Sequence, residues 1–184
     1  MVTEYKLPGV PVEGTRKLGP HNARLTVHTK RTGRVAKAGH DLTIEVRAWE
    51  GTLDLGDKPS VSLVVESTSF KVVEGSGGIQ ALDDDDKANI EQTIDDEVLL
   101  KRKIKFQSTE VKADGNRLTV RGDLRLMMNS RPLTFDLELS DDGRLTGGAV
   151  VTQSDWGMKP YTALFGSLKV ADEVEVRIES EPLG

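Results

Sequence analysis

The residues with the most versatile chemistry in this chain are three histidines, His21, His28 and His40. They sit in a stretch where Arg16, Lys17, Arg24, Lys30, Arg31, Arg34 and Lys37 follow Glu13 with no acid before Asp41. Imidazoles ligate metals and move protons near neutral pH. A spacing of seven and then twelve residues is not a compact ligand pattern, and the chain has no Cys, which removes thiolate ligands, disulfides and a cysteine nucleophile together. Asp83, Asp84, Asp85 and Asp86 run consecutively and lack the alternating oxygen ligands and central Gly of a calcium loop, so they read as the acidic start of a helix. The chain carries no phosphate-cradling Gly loop and no Gly-x-Ser-x-Gly elbow. These readings point to no metal, no cofactor and no catalytic residue, although a site assembled only in space would leave an enzyme with a cavity as an alternative. The basic stretch has two readings. Arg31, Arg34, Lys37 and His40 form a rim that receives an anionic head group or touches a bilayer surface, or they are solvated strand residues neutralised by acids elsewhere.

The elements that must position these residues are strands. Leu118, Val120, Leu124, Leu126 and Met128, then Leu133, Phe135, Leu137 and Leu139, fall at every second position, which makes two half-buried strands. Asn129 and Ser130 interrupt the pattern and Pro132 suits only a strand start, so the two runs predict an antiparallel hairpin. The same alternation recurs through Leu25 and Val27; Leu42, Ile44 and Val46; Trp49 to Leu55; Val61 to Val73; Ile104 and Phe106; Leu145 to Val151; and Val174 to Ile178. One helix is predicted from about Asp83 to Leu99, where Ile90, Ile94 and Val98 recur every four residues. Residues 1–20, rich in Pro and Gly, read as an extended lead-in, and residues 21–184 as a single domain. The expected fold is all-β: an antiparallel barrel of about eight strands with one inserted amphipathic helix, a size that encloses side chains or one small ligand.

Composition narrows the partners. A formal net charge of -5 gives nucleic acid no general electrostatic support, so none is expected as a partner. No run approaches the roughly 20 apolar residues of a spanning helix, so at most peripheral membrane contact is expected. The N-terminus lacks a basic region followed by an apolar one, which predicts a cytoplasmic protein, or a secreted one if a leader has been removed.

The segment Gly122 to Leu139, with Gly-Asp-Leu, a turn and Arg-Pro-Leu in that order, resembles the YceI-like, polyisoprenoid-binding family. Ile104 to Thr109, Gly39-His40-Asp41 and Gln153 to Leu164 are similar to further family segments, so the resemblance runs over roughly residues 22 to 180. It departs at Met128-Asn129-Ser130, where a histidine and glycine common in the family turn are missing. The resemblance implies a lipocalin-like barrel that binds, without catalysis, a long isoprenoid or other amphiphilic lipid, often as a homodimer. On this reading the lipid-binding lining is Phe70, Ile104, Phe106, Leu124, Leu126, Met128, Phe135, Leu137, Trp156, Tyr161, Leu164 and Phe165. The alternative is a filled barrel that works as a lipid-independent interaction or stress-response module.

Overall fold

The computed structural model describes residues 14–163, 166 and 168–184. Two of the proposed lining residues, Leu164 and Phe165, and residues 1–13 of the lead-in lie outside the described residues. The strands are β1 (Thr15–Leu18), β2 (Ala23–Thr29), β3 (Arg31–Thr32), β4 (Asp41–Val46), β5 (Trp49–Asp54), β6 (Ser60–Val65) and β7 (Phe70–Ser76). After helix α1 (Asp84–Thr93) come β8 (Ile104–Asp114), β9 (Arg117–Leu126), β10 (Asn129–Leu139), β11 (Arg144–Thr152), β12 (Thr162–Ala163), β13 (Leu168–Val170) and β14 (Glu173–Pro182).

The fold is all-β and antiparallel, as the alternation predicts, but the main sheet has eleven hydrogen-bonded strands rather than eight, in the order β1-β5-β6-β8-β9-β10-β11-β14-β2-β4-β7. The difference comes from bends. The chain between Asp41 and Asp54 is broken into β4 and β5 at Arg47–Ala48, its partner into β6 and β7 by a 3-10 turn at Ser67–Ser69, and the first pass into β1 and β2 around Gly19–Asn22. Counted as passes, the chain crosses the wall eight times. The bent hairpin belongs to both ends of the sheet, since β5–β6 bonds on to β8 while β4–β7 bonds back to β2. Among the described strands β1 and β7 end the order, and β7 keeps a free edge at a wedge beside the bend. Part of the expected lead-in also joins the sheet, because β1 pairs with β5 from Thr15↔Asp54 to Leu18↔Gly51.

Helix α1 covers that edge. It starts with a capping box in which Asp83 accepts from the Asp86 N–H at 2.8 Å and Asp86 accepts from the Asp83 N–H at 3.2 Å, which gives the acidic run its structural role. It ends in a π-helical turn, Ile94–Val98. Glu91 accepts from the Val72 N–H at 3.0 Å and from Lys71 Nζ at 3.2 Å, and Asp95 accepts from Ser67 Oγ at 2.8 Å. A carboxylate thus satisfies a backbone donor that no strand reaches.

The hairpin of β9 and β10 forms with Leu126 opposite Asn129, so the turn is Met127–Met128, and Asn129 and Ser130 are strand residues rather than the interruption expected. Gly122 lies opposite a bulge in β8 between Ser108 and Glu110, and a Cβ there would overlap the Gln107 carbonyl and the Phe106 ring. Close backbone approach at a bend explains this glycine. Leu118, Val120 and Leu139, at most 1% exposed, plug the end of the barrel between the Asp114–Gly115 and Asp141–Gly143 turns. Replacing Leu139 by Ala removes packing that nothing can refill. Its expected cost is about 2 to 5 kcal/mol, read as a lower urea midpoint at unchanged slope.

His28 sits on the outer face of β2, sharing a hydrogen bond of 2.9 Å with Thr26 Oγ1, while His21 is exposed in the Gly19–Asn22 turn. Burial, then the nearby Arg177 guanidinium, lowers the His28 imidazole below its ordinary value of 6.5. The unfolded chain then binds this proton more readily than the folded one, so His28 weakens the fold as pH falls through 6.5 towards the lowered value. Thermal unfolding should show wild type losing stability as pH falls through 6.5, with His28→Asn flattening the decline; an unchanged profile would remove His28 as the cause.

Candidate functional site

The inward positions of the curled sheet are mostly apolar, and the wall is too wide for the side chains to meet in the middle. A cavity of about 570 Å³ remains. Phe70 of β7, Ile104 and Phe106 of β8, Leu124 and Leu126 of β9, and Phe135 and Leu137 of β10 all line it. The Phe106 and Phe135 rings pack with centroids 5.2 Å apart at 59°, a favourable tilted arrangement. The opposite wall is built by residues not nominated from the sequence: Leu25 and Val27 of β2, Ile44 and Val46 of β4, and Val176 and Ile178 of β14. Their alternation was visible in the sequence; what could not be read is that strands so distant in the chain bond side by side.

Helix α1 and its π turn complete the wall at the wedge. Ile90, Ile94 and Val98, the four-residue stripe, are half-buried and face the cavity, with the buried Leu99 beyond them. The helix therefore serves as one panel of the chamber.

Two nominated lining residues lie elsewhere. Met128 is 75% exposed, because the strand ends at Leu126 and the two-residue turn carries Met128 out into solvent, where its Sδ meets Arg102 Nη1 at 2.7 Å. Trp156 is 3% exposed but does not line the cavity. It lies in a 3-10 turn (Gln153–Trp156), and its Nε1–H donates to the Leu124 carbonyl at 2.8 Å, while Asn129 Nδ2 donates to the Trp156 carbonyl at 2.6 Å. Its role is to brace the β9–β10 hairpin against the chain that follows β11.

The mouth is framed by the small sheet of β12, β13 and β3, which sequence alternation did not reveal because its strands are only two or three residues long. Tyr161, Lys169, Arg31 and His40 line the cavity here. Of the proposed head-group residues, Arg34 and Lys37 are exposed and stand outside the lining. Secondary structure separates them: they belong to the loop and 3-10 turn between β3 and β4, whereas Arg31 lies in β3 opposite Val170.

Arg31 and His40 are held in place by backbone. Arg31 Nη1 donates to the Gly39 carbonyl at 3.2 Å and to the Ser76 carbonyl at 2.8 Å, and His40 Nε2 donates to the Gln80 carbonyl at 2.6 Å. Gly77 and Gly78, at φ +80° and +76°, fold over the two side chains. A Cβ on Gly77 would overlap the guanidinium, and one on Gly78 the imidazole. Asp41 is occupied by the Arg31 N–H at 2.8 Å and by Lys30 Nζ at 3.7 Å. Among the described residues, no group of three His, Asp or Glu side chains converges as metal ligands would. The arrangement is a long apolar chamber with a few polar donors at one end, the geometry of a site for an amphiphile.

Comparison with known proteins agrees with this architecture. Burkholderia cenocepacia BcnA superposes with a TM-score of 0.61 at 15% identity, over 85% of this chain and 94% of that one. The Campylobacter jejuni YCEI protein superposes with a TM-score of 0.54 at 13% identity, over 77% and 84%. At such identities the likeness speaks to the fold alone. No curated protein matches the chain. The YceI-like domain matches residues 18–181, which takes in β2 to β13, nearly all of β14 and the helix that seals the chamber, and on that match the chain belongs to the YceI-like domain family.

Proposed function

We propose that this protein binds or transports, without catalysis, one long-chain amphiphile such as a polyisoprenoid or a fatty-acyl lipid, with its tail inside the barrel. The observation that carries the reading is the apolar cavity of about 570 Å³, well within the roughly 300–1,000 Å³ of small-molecule sites. Without a ligand these apolar walls face solvent, and a bound chain covers them. Each methylene it buries contributes about 0.8 kcal/mol, so a five-carbon prenyl unit adds about 3 to 4 kcal/mol before ordering costs. Membership of a binding-protein family supports the same reading. The alternative, a filled barrel that acts only through its loops or acidic helix, leaves the chamber without a purpose.

The test is to purify the protein from its own host and analyse the intact complex and its organic extract by mass spectrometry. A stoichiometric long-chain lipid supports the reading, and the intact mass also reports the oligomeric state. Empty protein that takes up neither prenyl nor acyl probes overturns it. In the same assay Phe135→Gln places an amide in the lining beside Phe106 and is expected to weaken probe binding at least about tenfold while the barrel stays folded. Full affinity in the folded variant would remove the β8–β10 wall from the site.

A further inference from the structure

We propose that the protein docks peripherally on an anionic bilayer through the outer surface around the Leu99–Arg102 and Met127–Met128 turns, with Leu100 and Met128 as the apolar tips that enter the lipid. This surface lies outside the chamber, so the inference is independent of what fills the barrel. It begins with backbone strain. Among the described residues, the non-glycine residues with positive φ are Leu100 at +51°, Lys101 at +55° and Met127 at +61°, and all three fall in these two turns. Left-handed backbone is costly for a bulky side chain, and such positions gather at functional sites. Here the turns carry Leu100 and Met128 outward, 49% and 75% exposed, while Leu99 and Leu126 just before them are buried. Large apolar side chains presented to water from strained turns are explained by a partner that covers them.

The two turns touch, since Arg102 Nη1 reaches Met128 Sδ at 2.7 Å. The exposed side chains around them are basic. Lys101, Arg102 and Lys103 follow Leu100 in the chain, and on the outer face of the wall β8 and β9 set Lys105 directly across from Arg125. Like charges in that register destabilise a sheet, and among the described residues no salt bridge relieves Arg102, Lys105 or Arg125. The nearby acids are engaged or set apart. Asp96 pairs with Lys101 at 3.2 Å, Glu66 with Lys103 at 2.7 Å, and Asp95 takes the Ser67 hydroxyl. Asp123 lies between Gln107 and Pro132, Glu50 lies beyond Val64 in the Lys105 row, and Glu97 is exposed on the π turn. In a chain of net charge -5 this is a local cationic face, so an anionic surface attracts it and repels the remainder, which fixes the orientation of docking. Apolar tips ringed by bases match a bilayer, where hydrocarbon lies beneath anionic head groups. A fluid surface receives isolated tips without matching their shape, whereas a folded partner needs about 800 Å² of fitted face on each side. Strand β9 runs from the plug residue Leu118 to Leu126, so docking presents the unplugged end of the barrel to the membrane.

The experiment is co-sedimentation of the full chain with vesicles of phosphatidylcholine alone and of phosphatidylcholine with an equal part of phosphatidylglycerol, beside binding to soluble polyglutamate. Wild type is expected to bind the mixed vesicles at least about tenfold more tightly than the neutral ones, with the difference shrinking as salt rises. Lys105→Gln with Arg125→Gln should weaken mixed-vesicle binding at least about tenfold without lowering the unfolding temperature, because it removes a like-charge pair. Leu100→Asn with Met128→Asn should weaken it severalfold, and Asn suits the left-handed backbone at position 100, so the fold is kept. Lys58→Gln with Lys112→Gln makes the same change of charge at the plugged end and should leave binding within about twofold. Equal binding to both vesicles, or a preference that survives in both folded double variants of the docking surface, overturns the proposal. Capture of polyglutamate without vesicle binding also overturns it and assigns the surface to an acidic protein partner. None of these outcomes depends on the contents of the chamber, so the reading of the cavity stands or falls separately.

Discussion

A sheet with one apolar face can hide it by curling, but a curled sheet is only as good as its seam. In this protein the seam runs through the bent hairpin, whose halves β5–β6 and β4–β7 pair with opposite ends of the wall. The bend gives the barrel its closure and at the same time strands the outer edge of β7, whose unpaired backbone groups would cost free energy if buried and invite foreign strands if exposed. The helix answers both needs: Glu91 takes the Val72 N–H, and the apolar stripe of Ile90, Ile94 and Val98 faces inward. The chamber, its width and its lining follow from that arrangement.

The two ends of the chamber are built from opposite chemistry. At the closed end Leu118, Val120 and Leu139 interlock with almost no exposure. At the mouth the short sheet of β12, β13 and β3 and the Gly77–Gly78 loop enclose polar side chains held by backbone carbonyls. The hydrophobic effect is non-directional and fixes how much tail is buried, whereas the mouth, with its few oriented donors, fixes which way round a ligand sits. A polarity of this kind gives the chamber a direction that a uniformly apolar shell lacks.

Much of this was legible in the chain because period-two alternation reports burial directly. The strand runs from Leu25 to Val73 and from Ile104 to Ile178, and the four-residue stripe of the helix, correspond to elements of the structure. The lining residues of β8, β9 and β10, nominated from parity together with the family resemblance, face the cavity. Parity failed where strands end. Met128 continues the inward rhythm of β9 but lies in the turn, and Trp156 has the size and hydrophobicity of a lining residue but spends its indole N–H on the Leu124 carbonyl. Lys169 was hidden by a different limit, since strands of two or three residues leave no periodic signal. Its place at the mouth depends on pairing between chain segments more than a hundred residues apart.

The helical panel has a further consequence. Asn89, Ile90, Thr93, Ile94, Val98 and Leu99 supply part of the chamber wall from a segment outside the strand ladder. A substitution in a strand must respect its register, its partner and its parity, because a slip of one residue turns the whole strand inside out. A residue on the panel answers only to the space it faces and to a handful of polar ties along β7. Evolution can therefore widen, narrow or reshape the bore of this barrel by editing one short helical insertion, leaving the load of the fold on strands that need not change, so that bore and scaffold drift under separate selection.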